Sequence, residues 1–219
     1  MKPYDALTCD CSGTLIDWYG GVRAAAGEMR ALRGIDMERF VRDRDAADRQ
    51  LIAQPYRPYS EIVAESARRA ALAQSRALSD GEAQRFAASM ARWPPFAESH
   101  ASLVRLASNY RLAILSNVDT ATLEASVAML DVPFELVVTA EMLRSYKPRH
   151  AHWVEALARL KIARSRVLHV GCSLFHDIRP AHALGFPTAF VDREGEPLQP
   201  GDEPTLTVPD LARLCAELI

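Results

Sequence analysis

The chain predicts an α/β protein: a parallel sheet with flanking helices, interrupted directly after its first strand by an all-helical insertion. Three observations carry that reading. Residues 4 to 9 are a short apolar run ending near the tight turn Gly13-Thr14, so the chain opens on a buried strand. Residues 17 to 92 then show helical periodicity and no convincing strand. From residue 99 onward strand-like and helix-like segments alternate, the signature of parallel strands joined by crossover helices. The expected division is a core of residues 1–15 and 94–219, with residues 16–93 as a helical unit of its own.

Within the insertion, residues 22 to 33 are Ala-rich and close at Gly34, a natural helix stop. Residues 36 to 53 carry Met37, Phe40, Val41 and Leu51 among Arg39, Arg42, Arg44 and Arg49, and end before Pro55. Residues 59 to 77 form another amphipathic run. Ser79 with Glu82 is a capping box that opens a helix over residues 80 to 92. Trp93-Pro94-Pro95-Phe96 punctuates the return to the core. Beyond it come a helix (99 to 108), a strand (111 to 115) ending at Ser116-Asn117, a helix (120 to 130) and a strand (134 to 139). Ser145-Tyr146-Lys147-Pro148 precedes a helix over residues 152 to 160. A strand over 166 to 170 ends at Gly171-Cys172-Ser173, and Asp177 leads a short helix closed by Gly185. A fifth strand (187 to 191) and a closing helix (210 to 218) complete the pattern.

Bulk properties narrow the function. The chain has 219 residues, long enough for a large core, and a formal charge of −2 offers no electrostatic case for nucleic acid or an anionic membrane surface. No apolar window is long enough to span a bilayer, and the start of the chain has no signal-peptide run. Cys9, Cys11, Cys172 and Cys215 lack the spacing of a disulfide framework, which predicts a reduced, cytoplasmic protein. Cys9, Cys11 and Cys172 could approach one another, but a zinc site wants a fourth ligand. His150 and His152 read as helix-start surface. His176 either carries a proton or lines a pocket mouth. Trp18, Tyr56, Tyr59 and Phe175 are candidates for an apolar wall.

The chemistry converges on one sheet edge. Asp10 follows the first strand, Ser116 the second, Lys147 the third and Asp177 the fourth. Parallel strands point their carboxyl ends the same way, and open α/β sheets hold ligands there. The set suits nucleophilic carboxylate catalysis. An aspartate is a weak nucleophile in water, and a fixed lysine keeps it charged once water leaves. The helix after Ser116-Asn117 would favour an anionic group at its start, and Asp177 could orient a hydrolytic water.

These residues, in this order, resemble the haloacid dehalogenase superfamily over essentially the whole chain. Its members place a nucleophilic Asp in D-x-D-G-T, matched by Asp10-Cys11-Ser12-Gly13-Thr14. They place Ser or Thr after the second strand (Ser116), Lys before the third helix (Lys147-Pro148), and acidic residues after the fourth strand (Gly171 through Asp177). The resemblance implies a Rossmann-like core with a helical cap. Phosphatases of the superfamily need an acid where Ser12 stands and an acidic magnesium ligand where Cys172 stands. The L-2-haloacid dehalogenase (type II) branch also lacks the second Asp and shares the Leu-Ser-Asn and Tyr-Lys-Pro signatures at Leu115 to Asn117 and Tyr146 to Pro148.

That branch implies a metal-independent, cofactor-free hydrolase displacing halide from a short (S)-2-haloalkanoic acid through an ester on Asp10. By the same resemblance, Ser116 and the backbone N–H groups of Cys11 and Ser12 hold the substrate carboxylate. Asn117 and a cap arginine receive the halide, with Arg42 taken among Arg39, Arg42 and Arg44. Lys147 and Asp177 serve hydrolysis. Pocket positions are Ser12, Tyr59, Trp153, Cys172, Leu174 and His176. The dehalogenases carry Tyr, Tyr, Ser, Asn and Trp at the positions matching Ser12, Trp153, Cys172, Leu174 and His176. A homodimer is implied as well. The rivals are an enzyme acting on another small 2-substituted carboxylic acid, a magnesium-dependent phosphatase, and a binding protein on a retired scaffold.

Overall fold

A computed structural model describes residues 3–219; Met1 and Lys2, and with them the first residues of the expected signal-free start, lie outside it. Six strands form a wholly parallel sheet: β1 (Ala6–Cys9), β2 (Arg111–Ser116), β3 (Leu136–Thr139), β4 (Val167–Gly171), β5 (Thr188–Val191) and β6 (Leu206–Val208). Their order is β3-β2-β1-β4-β5-β6. The chain fills one side of β1 first, then crosses to the other. The switch therefore falls between β1 and β4, and a crevice opens at their carboxyl ends. All four residues of β1 are buried, as a central parallel strand covered on both faces requires.

The period of two along each strand sorts side chains between two cores. Leu7, Cys9, Leu112, Ile114, Leu168 and Val170 join the larger one, packed with α5 (Ser99–Ala107), α6 (Thr120–Leu130) and α10 (Leu211–Leu218). Ala6, Ala113, Leu115, Val138 and Val167 face the other side, against Trp153, Ala156 and Leu160 of α8 (Ala151–Leu160) and Ala181 of α9 (Arg179–Ala183). A short helix, α7 (Ala140–Leu143), follows β3.

The insertion leaves and returns through a two-stranded neck. Asp17 donates its N–H to Pro94 O at 2.8 Å, and Phe96 N–H to Leu15 O at 3.1 Å. Between these lie α1 (Trp18–Glu28), α2 (Met37–Ile52), α3 (Tyr59–Leu72) and α4 (Asp80–Ala88). Aspartates cap α1 and α2, and the Ser79–Glu82 capping box forms at α4. The first helix starts four residues earlier than its composition predicts. Asp17 caps Gly20 N–H at 2.8 Å, and Gly21 sits where a Cβ would come within 2.3 Å of the Trp93 ring, so close packing selects the glycines that made the segment look unhelical. The expected helix over 59 to 77 stops at Leu72. β6 and α7, at three and four residues, were too short to show a period.

Candidate active site

The lysine is placed by its own backbone. Lys147 N–H donates to Asn117 Oδ1 at 2.7 Å and Asn117 Nδ2 donates to Lys147 O at 3.0 Å, which pins the loop after β3 to the end of β2. From there Nζ reaches Asp10 Oδ1 at 2.8 Å and Asp177 Oδ1 at 2.6 Å. The second oxygen of Asp10 accepts the Thr14 hydroxyl at 2.9 Å, and Thr14 Oγ1 in turn accepts the Cys172 N–H at 3.0 Å. Two glycines make the approach feasible. A Cβ at Gly171 would lie 2.5 Å from that of Asp177, and Gly13, at φ +85°, would collide with the Cys172 thiol.

Burial sets the charges. Asp10 is 6% exposed, and Lys147 and Asp177 1% each. Desolvation pushes the Asp10 carboxyl up to about 6, with Asp177 adding to the rise and Lys147 opposing it. Burial also disfavours ionised Asp177, but the Lys147 ammonium and the His169 ring together hold it well below the usual carboxylate range. Desolvation works against the Lys147 ammonium, yet the two carboxylates keep it charged. Both oxygens of Asp10 are engaged, whereas Asp177 Oδ2 is buried with no partner. Among the described residues it is an acceptor of the cluster that no donor fills.

Above this edge lies a cavity of about 530 Å³, closed on the far side by α1, α2 and the start of α3. Asp10, Ser12, Ser116, Asn117, Lys147, Cys172, His176 and Asp177 line it from the sheet, and Arg42 and Tyr59 from the helices. The Cys11 and Ser12 N–H groups find no acceptor among the described residues, but the Cys11 side chain is sealed in the core. Burial pushes the Cys172 thiol far up, so it stays protonated. His176, lowered to about 4 by burial, is neutral at pH 7; its Nδ1 lies 3.0 Å from Ser173 Oγ. Trp18 joins Tyr59 on the cavity wall; Tyr56 stacks on Tyr146 and Phe175 lies under Arg49, both off the lining.

Two pocket assignments fail. Trp153 is wholly buried on the inner stripe of α8, edge-on to His169 at 5.1 Å between centroids, in the core and off the cavity lining. Leu174 packs with Ile178 and Phe190 in the core, because the π-helical turn Leu174–Ile178 carries it inward. Asn117 lines the cavity, but its amide already holds the lysine loop, which leaves one N–H for an incoming anion. His152 is not surface either. It is buried with Nε2 3.1 Å from Ser116 O.

Of the three candidate cap arginines, Arg44 on α2 is the buried one, and Asp45 and Asp48, which the sequence did not single out, pair with it. Arg44 is 1% exposed, stacks on Trp18 at 4.5 Å, and pairs with Asp45 at 2.8 Å and Asp48 at 3.2 Å. Tyr59 donates its hydroxyl to Asp48 at 3.0 Å. Burial raises Asp48 to about 6, with Arg44 opposing. Phe40, Arg44, Ala47 and Leu51 share one buried stripe, and that spacing was the available signal for Arg44. Arg39 points elsewhere, to Asp43 and Ala73 O. Residues 192 to 197, after β5, complete the cavity rim.

A magnesium ion does not fit this cluster. Its donors would be Asp10, Asp177 and the Ser12 carbonyl, with a thiol at Cys172, where a hard cation wants oxygen. The Lys147 ammonium already bridges the two carboxylates at 2.8 and 2.6 Å, so their charge is met in part by a residue of the chain itself. Among the described residues no group of three or more His, Cys, Asp or Glu could hold a metal ion. The four cysteines are free thiols, and no helix among the described residues is long and apolar enough to cross a membrane.

Comparison with known proteins places the architecture. The L-2-haloacid dehalogenase RSc1362 superposes with a TM-score of 0.88 at 23% identity, covering 98% of each chain. The L-2-haloacid dehalogenase from Xanthobacter autotrophicus with chloropropionic acid covalently bound gives 0.84 at 19%, covering 97% of each. YfnB from Bacillus subtilis, assigned as a HAD-hydrolase and bound to magnesium, gives 0.85 at 18%, covering 99% of each. The same fold thus accommodates proteins with different named features, and the likeness speaks for the fold. No curated protein sequence matches the chain. The model of the haloacid dehalogenase-like hydrolases matches residues 4–185. With that match over most of its length, the chain belongs to the haloacid dehalogenase-like hydrolases.

Proposed function

We propose that this hydrolase releases halide from a short (S)-2-haloalkanoic acid, without metal, through a covalent ester on Asp10. The carrying observation is the chemistry around Asp10. Its carboxylate touches Lys147 and Thr14, and Ser12 stands where an alkoxide leaving group would need an acid. Halide needs no proton to leave. A likeness to a dehalogenase holding chloropropionic acid covalently agrees with such an ester.

An Asp10 oxygen attacks the carbon bearing the halogen; the C–O bond forms and halide departs with the C–X electron pair. Ser116 and the free N–H groups of Cys11 and Ser12 hold the substrate carboxylate. Water then attacks the ester carbonyl of Asp10 and gives a proton to Asp177 Oδ2. Collapse expels the 2-hydroxy acid as its alkoxide, which takes the proton held by Asp177, and the Asp10 carboxyl returns to its carboxylate by losing the water's second proton to solvent. The helical insertion serves as the cap. Arg42 stands at the mouth, while the buried, unpartnered Nε of Arg44 is the deeper anion donor.

The cavity, at about 530 Å³, falls in the range that encloses drug-sized ligands and exceeds a three-carbon acid. That favours, as a second reading, a larger 2-substituted acid undergoing the same displacement. The test is halide release from both enantiomers of 2-chloropropionate by chelator-treated protein, with a phosphate ester and magnesium as control. Release from the S enantiomer is expected. Phosphate release with no halide would overturn the proposal, and silence in both would favour the larger acid or a binding role.

A further inference from the structure

Behind the site, on the far side of Asp177, lies a buried histidine that the displacement chemistry does not use. His169 is the middle residue of β4, wholly enclosed, with Thr8 beside it on β1 and Thr188 on β5. Its Nε2 lies 3.4 Å from Asp177 Oδ1, and its Nδ1 3.0 Å from Thr8 Oγ1. Trp153 closes the ring from the side.

Hydrogen-bond chemistry fixes the tautomer. An ionised carboxylate accepts and cannot donate, so Nε2 carries the proton and gives it to Asp177. Nδ1 is then the acceptor, and the Thr8 hydroxyl donates to it. Asp177 Oδ1 thereby receives two donors, Lys147 at 2.6 Å and His169 at 3.4 Å, while Oδ2 receives none. Without His169 the carboxylate could turn to give both oxygens to Lys147. With it, one oxygen is loaded and the other keeps its lone pairs.

We infer that His169 is a positioning residue for the hydrolytic half-reaction: oriented by Thr8, it holds Asp177 by Oδ1 so that Oδ2 remains free to take the proton of the attacking water. This rests on the ester mechanism proposed above. The alkylation half, in which Asp10 attacks, does not need the free oxygen. Loss of the contact should therefore slow one half and spare the other.

The experiment pairs His169→Leu with His169→Gln, which keeps an N–H near the position of Nε2. Rapid mixing with (S)-2-chloropropionate is expected to give H169L a halide burst near one equivalent at close to the wild-type rate. Steady-state turnover should fall ~10–100-fold, the usual cost of losing a group that orients a reacting one. Mass spectrometry should find the ester accumulating on Asp10, and H169Q should recover most of the loss. Equal slowing of both halves, or none, would overturn the inference. Nitrogen NMR of histidine-labelled wild-type protein gives a readout independent of substrate and of variant folding. A neutral ring protonated on Nε2 is expected, with a resonance that moves in Asp177→Asn; a ring protonated on Nδ1 would overturn the inference. If wild-type protein releases no halide from any acid tried, the ester reading fails, and the NMR result alone decides whether His169 holds Asp177.

Discussion

The two walls of the cavity are built on different principles. On the sheet side, Asp10, Lys147, Asp177, Thr14 and Asn117 satisfy one another almost completely, and nearly every polar atom there has a fixed partner. On the helical side, among the described residues, Arg44 is buried with an unpartnered Nε while Arg42 stands exposed without an ion pair. Among the described residues, side-chain hydrogen bonds tie the walls at three places. Asp119 accepts from Tyr59 N–H at 2.7 Å and Ser60 N–H at 2.8 Å, Arg149 donates to Ile52 O at 3.0 Å and Ala53 O at 2.8 Å, and Tyr146 donates to Arg57 O at 2.6 Å. The difference teaches where each property resides. A preorganised sheet edge suits the bond-breaking step, which tolerates little displacement. An arginine-rich helical face, with partners to spare, suits selection among acids.

The sharpest way to break this contrast is at the sheet edge. Asp10→Asn should lower turnover by at least ~10³-fold in a halide-release assay, since losing a nucleophile costs more than losing an orienting group. Lys147→Met leaves two buried carboxylates without their shared cation. Removing one side of a buried pair costs about 3–5 kcal/mol, so a large fall in the denaturation midpoint should accompany the loss of activity. If K147M were as stable as the parent, the cluster would not be the strongly coupled unit described.

The helical wall should respond more gently and mostly in substrate affinity. Arg44→Lys removes a charged hydrogen-bond donor worth about 1.5–3 kcal/mol, a rise in KM of about tenfold or more. Arg42→Ala, at an exposed charge, should change KM by less than ~5-fold. The reverse ranking would return the anion-binding role to Arg42. The acid limb of the pH profile separates the walls as well. Asp10 must be ionised to attack, and burial lifts its carboxyl to about 6. Activity should therefore fall as pH drops through about 6, well above the ordinary aspartate value of about 4. An acid limb near 4 would mean a solvated nucleophile. The smallest effect is expected at the ties. Asp119→Ala removes the cap on α3, worth about 1 kcal/mol, and should lower the melting temperature by roughly 2–4 °C.

How much of this was legible in the sequence follows the same division. The parallel sheet, the helical insertion and the four residues at strand ends could be read because strand termini fix where a side chain emerges. Trp153 and Leu174 were misplaced because matching positions between relatives says nothing about helix phase. The spacing of Trp153, Ala156 and Leu160 already marks one inward stripe of α8. Arg44 was weighed beside Arg42 and not chosen, because charge alone does not separate the three arginines, although its position lay on the apolar stripe of α2. His169 was hidden in a run of buried strand residues, where nothing local distinguishes a structural histidine from one that orients Asp177. β6 offered three residues, too few for any period.

The central claim is that Asp10 forms the new bond to carbon. The most direct measurement is a single turnover, protein in excess over (S)-2-chloropropionate, in water enriched in the heavy oxygen isotope. The account predicts that the 2-hydroxy acid carries ordinary oxygen donated by Asp10, and that the heavy isotope appears in the Asp10 carboxyl. Heavy oxygen in the product with Asp10 unlabelled would mean that water attacks the substrate directly, and would contradict the account.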